Sequence, residues 1–435
     1  MRGVAGEPPL DPATTFAVGT ALAKWIGQHH LDPEVVIGMD TRESGPWIAA
    51  HVAGGLEKNG VRARFAGLIT TPGIAHVTRT GPFAAGVMIS ASHNPYHDNG
   101  IKLIDHSGFK LPDEEEHAIE QDIFEWLERG EKPAVAELTP DHGLDQAYID
   151  DLAATLPGGL GGVRLVVDGS NGAATYLAPA LFERLGATVD RIHCAPDGKN
   201  INLHCGSQHL ESLREQVIET RADLGVAFDG DADRAMFISH SGKVVDGDAV
   251  LYITALPLHA RGRLNEVIAT VMSNLGLEVA LRAQGIGLVR TPVGDKYVLD
   301  EMVKRNALLG GEQSGHVIFR DYATTGDGLL TALRVMEVMR ESGQDLDTLT
   351  SSFVSYPQLL VNVRVRERRP LAELDRVNAG IRRAESEFGE GGRVLVRFSG
   401  TEPLARVMVE GPTIERVTFH AHAIADAIGK ELGVL

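Results

Sequence analysis

Short apolar runs alternate with helix-patterned stretches along most of this chain, and that alternation limits its fold more than any single residue does. VVIG (35–38) suits a short buried strand, and RESGPWIAAHVAGGLEKNG continues from it as a helix that Gly60 ends. Further strands are predicted around 62–65 and 86–89. The same order returns in RLVVDGSNGAATYLAPALFERLG (164–186) and again from Val267 through Gly285. Such strand–helix order predicts parallel α/β architecture. The recurrences match in pattern and not in letters, so they are similar modules and not a solenoid. Asp11 before Pro12 marks a helix start, with Val18, Leu22, Trp25 and Ile26 forming its apolar face.

The tail has a different pattern. VLVRFSGTEPLARVMVEG (394–411) reads as two strands around a loop, and a helical pattern runs from Thr413 to Leu432, which together suggest a smaller α+β domain. The charged, proline-bearing stretch 129–142 reads as a linker. A length of 435 residues exceeds one ordinary domain, and about three or four are expected. The net charge of −18 argues against nucleic acid and anionic membrane as partners. No apolar run approaches the roughly 18 residues of a membrane span, and no signal-peptide pattern appears, so a cytoplasmic location is expected. Two cysteines make no disulfide framework. His193-Cys194, His204-Cys205 and His209 lack the tight paired spacing of zinc sites and read as loop residues.

Four stretches offer chemistry. ISASHNPYHDNGIKL (89–103) sets Ser92 and His93 among strong turn formers at a strand end, where a side chain can be presented outward; alone, it is most simply a polar turn. LGVAFDGDADRAMF (224–237) opens an apolar strand into Asp229, Asp231 and Asp233. Alternate carboxylates so close repel without a cation and suit a hard divalent ion. Arg234 and His240 stand where a calcium EF-hand needs Gly and Glu, so that motif is excluded. LLGGEQSGHVIF (308–319) offers Glu312, Ser314 and His316, a set suited to sugar hydroxyls, although alone it is again a polar turn. In RFSGTEPLAR (397–406), Arg397 and Arg406 flank Ser399, Gly400 and Thr401, a fitting cradle for a phosphate dianion. No GxxxxGK[ST] nucleotide loop is present.

SASHNP, DGDADR, GGEQSGH and RFSGTEP, in this order and spacing, resemble the α-D-phosphohexomutase superfamily, and within it the bacterial branch acting on glucosamine phosphates. RGVAG (2–6), GMDTRESG (38–45), TTPGIAH (70–76), MSNLGLE (272–278), TPVGDKYV (291–298) and TTGDG (324–328) extend the likeness over essentially the whole chain. The resemblance implies three similar mixed α/β sandwich domains, at 1–140, 141–243 and 244–354, and a C-terminal α+β domain at 355–435, around a central cleft. It implies that Ser92 carries a phosphoryl group and binds Mg²⁺ together with Asp229, Asp231 and Asp233. Arg234 would contact the phosphoryl oxygens, with His93 and Lys102 near the reacting group. Lys102 would serve as general acid/base, which requires a depressed pKa. Arg2, Thr291, Gly294, Asp295 and Lys296 would join Glu312, Ser314 and His316 in binding substrate, while the loop at 397–406 holds the phosphate that is not reacting.

The implied activity is that of an isomerase shifting phosphate between O6 and O1 of glucosamine phosphate through a bisphosphorylated sugar, which feeds amino-sugar nucleotide and cell-wall precursor synthesis. Glucosamine 1,6-bisphosphate or a related bisphosphate would be the activator, the partner a small sugar phosphate, and the assembly a monomer or homodimer. Gln313 matches the glucosamine form of the sugar loop, where relatives acting on glucose or mannose more often carry Met. Rival readings are the same apparatus on glucose or mannose phosphates, a sugar-phosphate phosphatase, and a non-catalytic phosphosugar-binding protein. The resemblance also implies a strand and Gly-rich turn ahead of Arg2-Gly3, either encoded upstream or truly lost; as the chain stands, Arg2 is expected to fray.

Overall fold

Asp11 accepts hydrogen bonds from the amides of Ala13 and Thr14 and so starts the helix Pro12–Gln28, as the Asp-Pro pair predicts. The computed structural model describes residues 1–399 and 403–434. They form two units, one of residues 1–271 and 289–350, the other of residues 272–288 and 351–435.

The first unit repeats one module. β1 (Arg2–Val4), β2 (Glu34–Met39), β3 (Arg62–Leu68), β4 (Ala85–Ile89) and β5 (Asp98–Asp105) form a sheet in the order β1-β5-β4-β2-β3. β2 pairs in parallel with β3 and β4, and β4 pairs antiparallel with β5. In a second sheet β6 (Arg164–Asp168), β7 (Thr188–Ile192), β8 (Leu224–Phe228), β9 (Ala235–Ser239) and β10 (Val244–Val245) run in the order β10-β9-β8-β6-β7. Again β6 is parallel to β7 and β8, and β8 antiparallel to β9. The third sheet, β12-β11-β13-β14, joins β11 (Glu266–Thr270), β12 (Gly287–Thr291, of which 289–291 lie in this unit), β13 (Leu309–Gly311) and β14 (Val317–Phe319). Here β11 is parallel to β13, and β13 antiparallel to β14. The sheets are therefore mixed where strand–helix order alone predicts parallel ones. In each, a helix returns the chain for the parallel strands, and a turn reverses it into β5, β9 or β14.

Helices Pro12–Gln28 and Gly45–Lys58 cross beside the first sheet at very short range. A Cβ built on Gly19 would meet the Val52 carbonyl oxygen at 2.0 Å, and one on Gly55 the Phe16 carbonyl oxygen at 2.2 Å. Arg2 does not fray. β5 offers its edge, Arg2 pairs with Gly100, and the amide of Ile101 donates to the Met1 carbonyl at 3.0 Å. Residues 131–139 carry no helix or strand before Asp141 caps the helix His142–Ala154.

In the second unit β15 (Gln358–Arg364), β16 (Arg393–Phe398) and β17 (Leu404–Glu410) form an antiparallel sheet in the order β15-β17-β16. Val377 and Phe388 of helix Asp375–Phe388 and Ile424 of helix Ile414–Leu432 share its core with Val407. Among the described residues no helix is long and apolar enough to cross a membrane.

One buried pair sets a pH dependence. The Tyr148 hydroxyl donates to Asp327 Oδ2 at 2.8 Å, while Asp327 Oδ1 caps helix Gly328–Ser342 by accepting from Leu330 N at 2.9 Å. Burial pushes the Asp327 carboxyl from 3.8 up to about 6, against the opposing pull of those hydrogen bonds. Its folded pKa lies above the unfolded one, so folding favours the protonated form. The associated stability is full below the unfolded pKa and is lost as pH rises through the folded one. Two pKa units correspond to roughly 3 kcal/mol. Asp327→Asn keeps a capping oxygen and can turn its amide toward the Tyr148 oxygen. Urea denaturation should show it more stable than the parent at pH 7.5, by up to about 3 kcal/mol, with the gain vanishing near pH 3.5.

Candidate active site

β4, Ala85–Ile89, is buried along its whole length and ends where the chain must turn toward β5. The turn puts Ser92 at φ +52°, a left-handed conformation uncommon outside glycine. Ser90 Oγ accepts from the Ser92 amide at 2.9 Å, and Asn94 N donates to the Ala91 carbonyl at 3.1 Å. Ser92 Oγ then donates to Asp229 Oδ2 at 2.6 Å and lies 3.3 Å from His93 Nδ1. The reactive-looking hydroxyl of the first sheet therefore rests on the acidic loop of the second. His93 has a lowered pKa, from burial and then the positive charge of Arg234 and Arg2.

The acidic loop leaves β8, whose five residues are all buried. Asp229, Asp231 and Asp233 are buried too, and each offers an oxygen within 4.8 Å of the others. Burial, then the charges of Asp233 and Asp231, raise the Asp229 pKa well above the usual carboxylate value. Burial also works to raise Asp233, but Lys102, His316 and Arg234 outweigh it and hold that carboxyl well below the ordinary range. Asp231 Oδ2 takes Lys102 Nζ at 2.5 Å and the Thr71 hydroxyl. Asp231 Oδ1 and Asp233 Oδ1 are buried without a hydrogen bond. Oxygen donors, clustered charge and two buried oxygens lacking hydrogen bonds fit a divalent cation of the Mg²⁺ type. Arg234 gives its amide to Asp229 Oδ1 at 3.2 Å, with its Nε 3.7 Å from Asp233 Oδ1.

Lys102 corrects one expectation. Burial does lower its pKa, but Asp231 and Asp233, the latter 3.8 Å away, overcome burial and leave it raised. A lysine facing three carboxylates is held as an ammonium.

The third loop closes on the second. Ala235 N donates to the Gly315 carbonyl at 3.1 Å, and buried His316 places Nδ1 3.7 Å from Asp233 Oδ1. Burial lowers the His316 pKa, but Asp233, Asp295 and Glu312 together raise it. Glu312 Oε1 accepts from Gly294 N at 3.2 Å, and its Oε2 lies 3.5 Å from Ser314 Oγ. Thr291 Oγ1 donates to the Pro292 carbonyl at 3.0 Å, outside this cluster. Asp295 pairs with Lys110, and Lys296 with Asp113. A cavity of about 490 Å³ adjoins the acidic loop and is lined by Thr71, Lys102, Lys110, Asp295, Lys296 and His316. Arg2 reaches the serine turn, with Nη1 3.5 Å from Asn94 Oδ1.

In the second unit Arg397 and Arg406 are direct cross-strand partners on β16 and β17. Burial, then the neighbouring Arg406, lowers the Arg397 pKa. Two guanidinium groups held side by side favour an anion between them. Ser399 donates its amide to the Leu404 carbonyl at 2.8 Å, whereas Gly400 and Thr401 lie outside the described residues.

Sequence reasoning assigned no role to Thr71, Arg42 or Asn202, each of which touches the serine or acidic loop. TTPGIAH and GMDTRESG contain the first two, but nothing in their spacing says which loop they reach.

The charge balance of the acidic loop yields a prediction. Asp229 is the carboxylate that burial and its neighbours most disfavour, so Asp229→Asn should leave metal-free thermal stability unchanged or raised. Millimolar Mg²⁺ should raise the melting temperature of the parent by mass action, and that rise should be lost in Asp229→Asn. A metal-free variant that melts lower, yet keeps the full Mg²⁺ response, would contradict this reading.

Comparison with known proteins agrees with the geometry. The four parts described for the phosphoglucomutase/phosphomannomutase family match in order: alpha/beta/alpha domain I at 1–130, II at 146–242, III at 246–356 and the C-terminal domain at 360–427. A phosphoglucosamine mutase of Solibacter usitatus is 59% identical over 435 residues, covering 100% of this chain and 98% of the relative. That of Koribacter versatilis is 48% identical, covering 100% and 96%. A phosphoglucomutase/phosphomannomutase family protein from Burkholderia thailandensis has the same fold, with a TM-score of 0.82 at 23% identity over 99% of this chain and 96% of that one. From the serine turn through the acidic loop to the paired arginines, this chain belongs to the phosphoglucomutase/phosphomannomutase family, within the α-D-phosphohexomutase superfamily.

Proposed function

We propose that the chain is a phosphohexomutase isomerase that interconverts glucosamine 6-phosphate and glucosamine 1-phosphate through phosphorylated Ser92. The observation that carries this reading is the Ser92 hydroxyl, 2.6 Å from Asp229 Oδ2 at the edge of three buried carboxylates. A solvated serine gains nothing from that position. A phosphoserine there would face buried carboxylates arranged as a divalent cation requires.

The sugar hydroxyl bonds to phosphorus as the bond to Ser92 Oγ breaks. In net terms the sugar gains the phosphoryl group and Ser92 regains a proton. The resulting bisphosphate then returns its other phosphate to Ser92. A related sugar bisphosphate would prime the enzyme by phosphorylating Ser92 in the first place. Mg²⁺ held by Asp229, Asp231, Asp233 and the serine phosphate would offset charge on the transferring group. Arg234 and His93 flank the phosphoryl oxygens. Lys102, an ammonium beside the cavity, suits proton donation to the sugar oxygen that leaves phosphorus. To accept the proton when that hydroxyl attacks, the same nitrogen would have to be neutral, a form that Asp231 and Asp233 oppose until a cation takes up their charge. Glu312, Ser314 and His316, with Thr291, Gly294, Asp295 and Lys296, would orient the sugar. Arg2 would help hold substrate at the serine turn. Arg397, Ser399, Gly400, Thr401 and Arg406 would bind a phosphate group through paired guanidinium groups and backbone amides.

The relatives named phosphoglucosamine mutase support glucosamine as the sugar, and an ammonium at C2 suits an acidic loop such as that of Glu312. After incubation with a sugar bisphosphate, peptide mapping should locate one phosphate on Ser92. Ser92→Ala should lower turnover by roughly 10³-fold or more. Near-normal turnover in that variant would end the phosphoserine mechanism.

Substrate choice is tested separately. Parallel assays of glucosamine, glucose and mannose 6-phosphates should give the highest kcat/KM with glucosamine, by about 10- to 100-fold over glucose. A higher value for glucose or mannose would overturn the sugar assignment and leave the mutase reading intact.

A further inference from the structure

The turn that carries Ser92 is gripped from two sides by groups with no assigned part in the reaction. One Nη2 of Arg42 donates to the Ser92 carbonyl at 3.1 Å and to the Asn94 carbonyl at 2.6 Å. The amide nitrogen of Asn202 reaches the same two oxygens, at 3.0 Å and 3.1 Å. Ser92 itself has a left-handed backbone, at φ +52°. We propose that Arg42 and Asn202 are positioning residues, forming a carbonyl clamp that fixes the direction of Ser92 Oγ over Asp229.

The two donors come from different sheets, and each is anchored in its own. Arg42 follows β2 and is buried, with its amide on Asp40 Oδ1 at 3.0 Å and its guanidinium on the other carboxylate oxygen. Asn202 belongs to the loop after β7, and its amide donates to the Ser170 carbonyl at 2.9 Å. Gly230 marks how closely the second sheet approaches. A Cβ there would lie 2.5 Å from the Ser92 carbonyl oxygen and 2.9 Å from Asn202 Nδ2. Asn202 itself sits at φ +58°, which Asn tolerates well among residues with side chains. The clamp thus spans the joint between the sheet that bears the serine and the sheet that bears the carboxylates. In-line phosphoryl transfer is sensitive to that joint, since a misplacement of about 1 Å can cost on the order of 100-fold in rate.

A purely structural part, satisfying two buried carbonyls, makes a different prediction, and Asn202 is the residue on which to separate the two. Arg42 is unsuitable because its loss would strand buried Asp40. Asn202→Gly and Asn202→Asp both accept the left-handed backbone. The first deletes the donor. The second keeps the shape but points a carboxylate at two carbonyl oxygens. The kinetic arm rests on the mutase reading and uses the full chain with a sugar bisphosphate and Mg²⁺. Asn202→Gly should lower kcat by roughly 10- to 100-fold and Asn202→Asp by more, with KM and melting temperature close to the parent. A kcat within about twofold of the parent in both variants, or a loss matched by a fall in melting temperature, would overturn the clamp. The second arm needs no activity. Hydrogen exchange should speed up at the amides of residues 92–94 in Asn202→Gly and stay unchanged in helix Pro12–Gln28. Unchanged exchange at 92–94 would reject the clamp by itself, whereas a parent that never isomerises sugar phosphates would reject only the mutase reading.

Discussion

Three like charges buried on one turn cannot stand without compensation, and much of the first unit is arranged to supply it. At an effective dielectric of about 20, two unit charges 4 Å apart repel by roughly 4 kcal/mol. A whole domain is stable by only about 5–15 kcal/mol. Asp229, Asp231 and Asp233 therefore require positive charge close by, and no neighbour in sequence except Arg234 can provide it. Lys102 comes from β5 of the first sheet and His316 from the turn before β14 of the third. Each sheet thus contributes to the charge balance of one loop. With that balance met, two oxygens still lack hydrogen bonds, which is the condition a divalent ion fills.

The three contributions share one origin in the module. Ser92 lies in the turn from β4 to β5, the aspartates in the turn from β8 to β9, and Glu312, Ser314 and His316 in the turn from β13 to β14. In every sheet this is the turn where a parallel arrangement gives way to an antiparallel strand. Chain reversal there is tight because the next strand must pair at once with the one just finished. A tight reversal at the end of a fully buried strand presents polar side chains in a fixed direction, and three sheets aiming the same turn at one another assemble a site. Function follows from which residues occupy an equivalent position.

The local features of this arrangement were legible in the sequence. The Asp11-Pro12 helix start, the strand at 35–38 and the two strands of the tail follow from capping chemistry and apolar patterning, and the structure has them. The carboxylate spacing pointed to a cation because electrostatics acts on neighbours in the chain. The pKa of Lys102 was misjudged for the opposite reason. Its partners Asp231 and Asp233 are remote in sequence, so nothing near Lys102 announces carboxylates that outweigh burial. Arg42 and Asn202 escaped notice likewise, since each hydrogen-bonds a turn far away in the chain and neither has a distinctive local pattern. The fraying expected of Arg2 failed because β5 is long enough to pair with it, a property of another segment altogether. Composition and periodicity report on what a segment does to itself; the site depends on what segments do to each other.

Reversal in these turns also has a backbone cost. Each of the three turns contains one residue with a left-handed backbone: Ser92 at φ +52°, Ala232 at φ +55° and Gly315 at φ +93°. The turn of Glu312, Ser314 and His316 meets this need with glycine, at no steric cost. The other two do not, and a side chain in that region costs roughly 1–2 kcal/mol. At the serine turn the left-handed residue is Ser92 itself, and glycine could not supply its hydroxyl on Asp229. Ala232 lies between two carboxylates that must be held close, and glycine there would add freedom to the loop whose charges most resist being together. Strain accepted at Ser92 and Ala232, and avoided at Gly315, separates the two turns joined by the hydrogen bond from Ser92 to Asp229 from the one that packs beside them.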